Sequence, residues 1–268
     1  MNFQLVSERM VCSESWLSCW NSHCCSSGSV AKFGLGFVRQ LLQRDPEACI
    51  HATYHRVEAA AELFALAETH GPRLRCLPMD VTDEAQIAAA VRQLQSVTDR
   101  LHLTVNCIGI LHAGELQPEK GLRQLDADKL LRYFQINSLS GALLAKYLLP
   151  LLRHDRRNVF ASLSAKIGSI GDNQLGGWYG YRASKAALNM LLRTAAIEFG
   201  RKSPQTIVVA LHPGTTDTPL SQPFQRHVPA EQLFPVERTV RQLLGIIDGL
   251  GPEDSGQFFH WDGTRLPW

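Results

Sequence analysis

Ala48-Cys49-Ile50-His51-Ala52-Thr53-Tyr54 reads as a β-strand, and Val57 to Thr69 behind it reads as a helix. β-Branched and aromatic residues fit a pleated, half-buried surface, whereas apolar residues at three- and four-residue spacing mark one face of a helix. The same unit recurs along the chain. Leu74 to Met79 is a strand and Glu84 to Leu94 a helix; Leu101 to Asn106 is a strand and Asp126 to Leu152 a long helix. Asn158 to Ser164 is a strand, followed by a helix from Tyr181 to Phe199. A strand at Gln205 to Leu211, a helix at Val236 to Leu250 and a short strand at Gly256 to Trp261 complete the series. Strands alternating with helices predict an α/β fold, a parallel sheet covered on both faces. Right-handed crossovers make that sheet doubly wound, with its ligand crevice at the carboxyl ends of the strands. No linker-like stretch or internal repeat interrupts the series, so one domain is expected.

Composition agrees with an ordinary globular protein. The chain has 268 residues, 45% hydrophobic and 19% charged, enough to bury a full core. A net charge of +2 is close to neutral and gives no reason to invoke nucleic acid. No apolar run reaches the roughly 18–20 residues of a membrane span. Met1-Asn2-Phe3-Gln4 carries no basic region leading into an apolar stretch, so no secretory signal is expected. Four of the seven cysteines (Cys12, Cys19, Cys24, Cys25) crowd the first 25 residues, and the others (Cys49, Cys76, Cys107) sit in apolar runs. His23, Cys24 and Cys25 lack paired C-x-x-C spacing, so no metal is expected. Free thiols in a reducing cytoplasm are the default.

The chemistry concentrates at strand ends. After the strand 48–54 comes His55-Arg56. An acidic residue there would bind a free ribose 2′-hydroxyl, whereas the planar Arg56 cation suits a 2′-phosphate, so NADP(H) is expected over NAD(H). Asp80 and Val81 follow the next strand; Asp80 can accept from an adenine amino group, and Thr82 or Asp83 can cap the helix behind. Asn106-Cys107-Ile108-Gly109 ends the strand after that: Gly109 lets backbone approach a ligand, and Asn106 can tie loops together. Asn137 is a polar amide on an apolar helix face and needs a partner, water or a lysine. Pro213-Gly214-Thr215-Thr216-Asp217-Thr218 breaks the chain and then offers Thr216 and Thr218 hydroxyls to an amide or pyrophosphate.

Tyr181 and Lys185 are one helical turn apart, so phenol and ammonium share a face. A free phenol has a pKa of about 10, and a neighbouring ammonium is expected to lower it. That would make Tyr181 a usable acid and base at neutral pH.

Asp80-Val81, Asn106 to Gly109, Asn137, Ser164, Tyr181-x-x-x-Lys185 and Pro213-Gly214 together resemble the short-chain dehydrogenase/reductase family over roughly residues 34 to 268. Gly176 to Asn189, with Trp261-Asp262-Gly263 and Pro267-Trp268, is similar to its C-factor and sniffer carbonyl-reductase branch. The resemblance implies a Rossmann-type sheet and hydride transfer between NADP(H) and a small carbonyl or alcohol. Tyr181 would be the proton donor and acceptor, Lys185 would hold the nicotinamide ribose, Ser164 would hydrogen-bond the reacting oxygen, and Asn137 would hold a water linking Lys185 to solvent. The family usually has Ser-Ser here with the second serine catalytic, but Ala165 occupies that position. Ser164 is the first choice and Ser169 the second. Homodimers or homotetramers joined through the two long helices are implied as well.

The start of the chain departs from the family. Counting back from a first helix at Gly34 to Leu42 puts Gly28 and Gly34 on the first and last glycines of the phosphate-loop fingerprint, and Lys32 on the middle one. That glycine lets backbone approach the pyrophosphate. Ser18 to Ser26 is a poor central strand, with no Val or Ile. Residues 1–31 therefore read as an atypical segment joined to an ordinary domain at 32–268, with weakened dinucleotide binding expected. The competing reading is a signalling or scaffold member that keeps the fold without turnover; the altered glycine loop favours it and the intact Tyr181 and Lys185 oppose it.

Overall fold

The computed structural model describes residues 14–18 and 31–268. Gly28 and the His23, Cys24, Cys25 group lie outside them. Seven parallel strands form the main sheet in the order β3-β2-β1-β4-β5-β6-β9. These are β1 (Glu14–Ser18), β2 (Cys49–Tyr54), β3 (Leu74–Pro78), β4 (Leu103–Asn106), β5 (Asn158–Leu163), β6 (Thr206–Leu211) and β9 (Phe258–Phe259). Strand order reverses at the β1/β4 pair, where Ser18 lies level with Asn106. That reversal opens the crevice at the carboxyl ends. A separate two-stranded pair, β7 (Thr215–Thr216) with β8 (Leu233–Phe234), sits in the loop after β6.

Helices α1 (Ala31–Arg44), α2 (Ala61–His70) and α7 (Val236–Gly249) contribute to one apolar layer; α3 (Glu84–Gln95), α5 (Ser140–Leu152) and α6 (Tyr179–Lys202) contribute to the other. The strands explain why two layers form. In β6, Val208 and Ala210 enter one core and Ile207, Val209 and Leu211 the other, as a period of two requires. Both faces of β5 and β6 are buried throughout, which is why β6 reads as a continuous apolar run from Ile207 to Leu211 and β5 as one interrupted only by Ser162 after Asn158. Asp83 caps α3 by accepting from the amides of Ala85 and Gln86.

Two elements differ from the sequence expectation. The first strand is Glu14–Ser18, upstream of the Ser18 to Ser26 stretch. Its own sequence, Glu-Ser-Trp-Leu-Ser, is barely strand-like. Its place is set by pairing on both sides, to β2 and to β4, which completes the backbone ladder between them. The expected long helix 126–152 is also interrupted. α4 (Ala127–Phe134) runs into a π-helical turn at Gln135–Leu139 before α5 begins. Such turns cluster at functional sites, and this one contains Asn137.

Among the described residues, no helix is long and apolar enough to cross a membrane. Phe160 is fully buried at the centre of β5. Phe160→Ala is expected to cost about 3–5 kcal/mol, read as a lower urea midpoint at an unchanged denaturant slope.

Candidate active site

Helix α6 begins from an unusual backbone. Gly176, Gly177 and Trp178 all have positive φ (63°, 65° and 54°) immediately before α6. Glycine adopts this region freely, but at Trp178 it costs about 1–2 kcal/mol. Packing offsets the cost: the Trp178 indole lies 4.7 Å from the Phe224 ring and 6.3 Å from the Tyr181 ring. The turn sets Tyr181, Ser184, Lys185, Leu188 and Asn189 on the buried face of α6.

Tyr181 is 7% exposed, edge-to-face with Tyr133 as well as Trp178. Lys185 is 3% exposed, and its Nζ donates to the Leu163 carbonyl at the end of β5 (3.0 Å). Two glycines make room for it. A Cβ on Gly109 would stand 3.2 Å from Nζ, and one on Gly168 would stand 2.7 Å from the Lys185 Cβ and 2.9 Å from its carbonyl carbon.

The electrostatics correct the sequence reading. Tyr181 was expected to be acidified by Lys185, yet burial pushes the phenol above its ordinary value. Burial also lowers Lys185 from 10.5 to about 8. Desolvation opposes charge on either group, and here it dominates. The pair therefore rests as a protonated phenol above an ammonium that gives up its proton easily.

Asn137 uses both amide hydrogens, to the Ile110 carbonyl (2.9 Å) and Ser184 Oγ (3.0 Å), while its Oδ1 accepts from the Ile110 amide (2.7 Å). It fixes the loop after β4 to α6, and one Oδ1 lone pair remains for a water. Asn106 joins β4 to β5 through Ser162 Oγ (2.9 Å) and accepts from the Ile108 amide (3.1 Å).

Ser164 is placed differently from the expectation. Its hydroxyl donates to Asn189 Oδ1 (2.6 Å), about two turns along α6 from Tyr181. Ser169, the second choice, is buried and accepts from the Asp172 amide. Neither serine is paired with Tyr181 among the described hydrogen bonds, because the strand register gives Ala165 the position after Ser164.

The expected cofactor residues fall into two groups. Arg56 is exposed at the carboxyl end of β2, and Val81 is buried beyond β3. Gly109, Pro213 and Gly214 line neighbouring strand ends. Gly214 has a φ of 72°, and a Cβ there would strike Trp261 and Phe234. Others are committed internally. Asp80 accepts from the Thr82 amide (2.8 Å) and hydroxyl (2.7 Å), and lies 3.2 Å from His55 Nε2. Burial works to raise the Asp80 carboxyl, but those bonds, His55 and Arg132 hold it below the usual value. Thr216 and Thr218 were expected to offer hydroxyls outward. Both are 3% exposed instead, with Thr216 paired to Thr239 and Thr218 bonded to the Thr216 carbonyl. Gly34 is buried within α1, which starts at Ala31, so Gly34 and the exposed Lys32 belong to the helix rather than a loop.

Glu119, Trp178 and Phe224 fall in the loop segments that the sequence offers as the lining of a substrate pocket, 111–120, 171–178 and 219–235, whereas Tyr133 is not singled out by any sequence signal. The loops 111–120, 171–178 and 219–235 carry no motif, yet they converge beside Tyr181. His112 Nε2 contacts the carbonyls of Pro219 (3.1 Å) and Leu220 (3.2 Å), and Tyr133 donates to the Leu111 carbonyl (2.6 Å).

A doubly wound sheet with a buried Tyr–Lys pair at its strand ends has the architecture of the Rossmann-type oxidoreductases. The family model described as enoyl-(acyl carrier protein) reductase matches residues 31–243. C-signal of Myxococcus xanthus is 36% identical over 147 residues, 55% of this chain and 83% of that protein. Among solved structures, the carbonyl reductase Sniffer of D. melanogaster superposes with a TM-score of 0.80 at 25% identity, covering 96% of this chain and 100% of that one. The NADPH-bound carbonyl reductase from chicken fatty liver gives 0.81 at 28% identity with the same coverage. The chain belongs to the short-chain dehydrogenase/reductase family.

Gly168→Ala is expected to destabilise by about 1–3 kcal/mol, since its Cβ meets the α6 backbone at Lys185. A thermal melt showing no loss would refute that close approach.

Proposed function

We propose that this chain is an NADP(H)-dependent oxidoreductase that interconverts a small carbonyl compound and its alcohol. The observation that carries the proposal is the burial of Tyr181 and Lys185 together on one face of α6 at the strand ends. A buried ammonium is costly, and Lys185 has one recorded bond, to a carbonyl, for three donor hydrogens. Ribose hydroxyls suit the others.

The residues present fit a nicotinamide dinucleotide. Gly109 follows β4 with its Cα side against the Lys185 ammonium, and Gly214 follows β6 in a left-handed turn, so both strand ends present backbone without side chains. Arg56 supplies a cation for a 2′-phosphate, and the residues around it, Tyr54 to Val57, include no carboxylate. When bound, the dinucleotide supplies or accepts the hydride. The protein moves the proton. Burial keeps the Tyr181 phenol protonated at neutral pH, the form that carbonyl reduction consumes. The Lys185 ammonium stabilises the phenolate left behind. Tyr133, Trp178 and Phe224 give the site an apolar, aromatic wall, which favours substrates without charge.

Tyr181→Phe is expected to lower NADPH-dependent reduction of aldehydes and ketones by at least about 100-fold. Circular dichroism and NADPH fluorescence titration should be unchanged; wild-type turnover in this variant would sink the mechanism. Arg56→Glu is expected to weaken NADPH binding by about tenfold or more, with NADH spared. Equal losses for both cofactors would remove Arg56 from the 2′-phosphate.

The depressed Lys185 pKa sets a pH window. kcat/KM for reduction is expected to fall as pH rises through about 8, where Lys185 loses its charge. Stability moves the other way. Folded Lys185 binds its proton less tightly than the unfolded side chain, so its charged form costs stability below about 8, and the cost is relieved as pH rises toward 10.5. A flat kcat/KM profile between pH 7 and 9 would exclude Lys185 as the controlling charge.

A further inference from the structure

Helix α6 has no side-chain cap of its own. Its N-cap residue, Trp178, is left-handed and offers no polar atom to the first turn. The first amides of a helix need acceptors from elsewhere. One comes from Glu119, 61 positions upstream in the loop after β4. Its Oε2 accepts from the Gly180 amide (3.1 Å), and its backbone carbonyl accepts from the Trp178 amide. One residue thus holds two amides within the three residues before Tyr181.

Glu119 is 3% exposed, unusual for a carboxylate, and its Oε1 has no hydrogen-bond partner among the described residues. A buried carboxylate is retained only where its surroundings repay desolvation, and the positive end of a helix does so. The packing leaves Glu119 no slack. A Cβ on Gly180 would stand 2.4 Å from Tyr133 Cδ2 and 3.0 Å from Glu119 Oε1. Glycine at 180 therefore lets helix, tyrosine and carboxylate meet. Tyr133 in turn packs edge-to-face on Tyr181 and anchors to the Leu111 carbonyl at the far end of the same loop.

We propose that Glu119 is a positioning residue for the proton-transfer step: a cap supplied by the loop after β4 that fixes the first turn of α6, and with it the Tyr181 phenol. Its catalytic meaning rests on the oxidoreductase reading above; the cap itself does not. Reach and hydrogen bonding, rather than charge alone, define the role. Glu119→Gln keeps an acceptor oxygen at the same reach. Glu119→Asp keeps the charge one methylene short of Gly180, and Glu119→Ala removes both.

The test combines steady-state reduction with hydrogen–deuterium exchange on the full chain. In Glu119→Ala and Glu119→Asp, exchange across residues 178–182 is expected to rise at least tenfold while β5 and β6 stay protected. kcat is expected to fall about tenfold, with KM for NADPH unchanged. Glu119→Gln should recover both readouts toward wild type. Unchanged exchange at 178–182 in Glu119→Ala overturns the cap, and full recovery by Glu119→Asp but not by Glu119→Gln overturns the hydrogen-bond account in favour of charge. Faster exchange at 178–182 with unchanged kcat overturns the positioning role. A wild-type chain without turnover refutes the oxidoreductase reading and with it the catalytic role, while the exchange measurement still decides the cap.

Discussion

The Lys185 ammonium, nearly enclosed by protein, donates to the Leu163 carbonyl and lies beside Gly109, while Gly168 meets the base of the same side chain. A charge in that position needs three things at once: a carbonyl at the end of β5, a residue without a side chain at the end of β4, and another where the loop after β5 crosses α6. The rest of the site follows from meeting them. β4 and β5 must be neighbours in register, which Asn106 and Ser162 secure. α6 must lie close against the loop, which only glycine at 168 allows. With Lys185 fixed, Tyr181 is fixed one turn earlier, and burial opposes charge on both groups.

The loops beside this pair act as one structure. Asn137, held in a π-helical turn, ties the loop after β4 to Ser184 on α6. Tyr133 packs against Tyr181, Trp178 bridges Tyr181 to Phe224, and His112 meets the loop that carries Phe224. The strain at Trp178 is one part of this arrangement, offset by aromatic contacts with Phe224 and Tyr181. Preorganisation of this kind matters because a proton donor displaced by about 1 Å loses much of its effect.

Much of this was legible in the primary structure. Continuous apolar runs such as Ile207 to Leu211 announce buried parallel strands, and the strand ends announce Arg56, Asn106, Gly109 and Pro213. Other features were invisible for physical reasons. Glu14–Ser18 is a strand because two neighbours pair with it, not because its residues favour one. The π-turn at 135–139 does not disturb an apolar pattern enough to be read. The direction of the Ser164 hydroxyl depends on Asn189, which periodicity identifies only as another position on a helix face.

The sequence by itself determined the class: a doubly wound α/β sheet, and a tyrosine and a lysine one helical turn apart. These are local facts, encoded in residue type and spacing. Tertiary structure decided the protonation balance of the pair, because burial depends on everything that packs around Tyr181 and Lys185. It also decided that Thr216 and Thr218 face inward, that Ser164 answers to Asn189, and that Glu119 caps α6 from 61 residues away. Each is a contact between segments distant in the chain, and spacing along a sequence carries no record of such contacts.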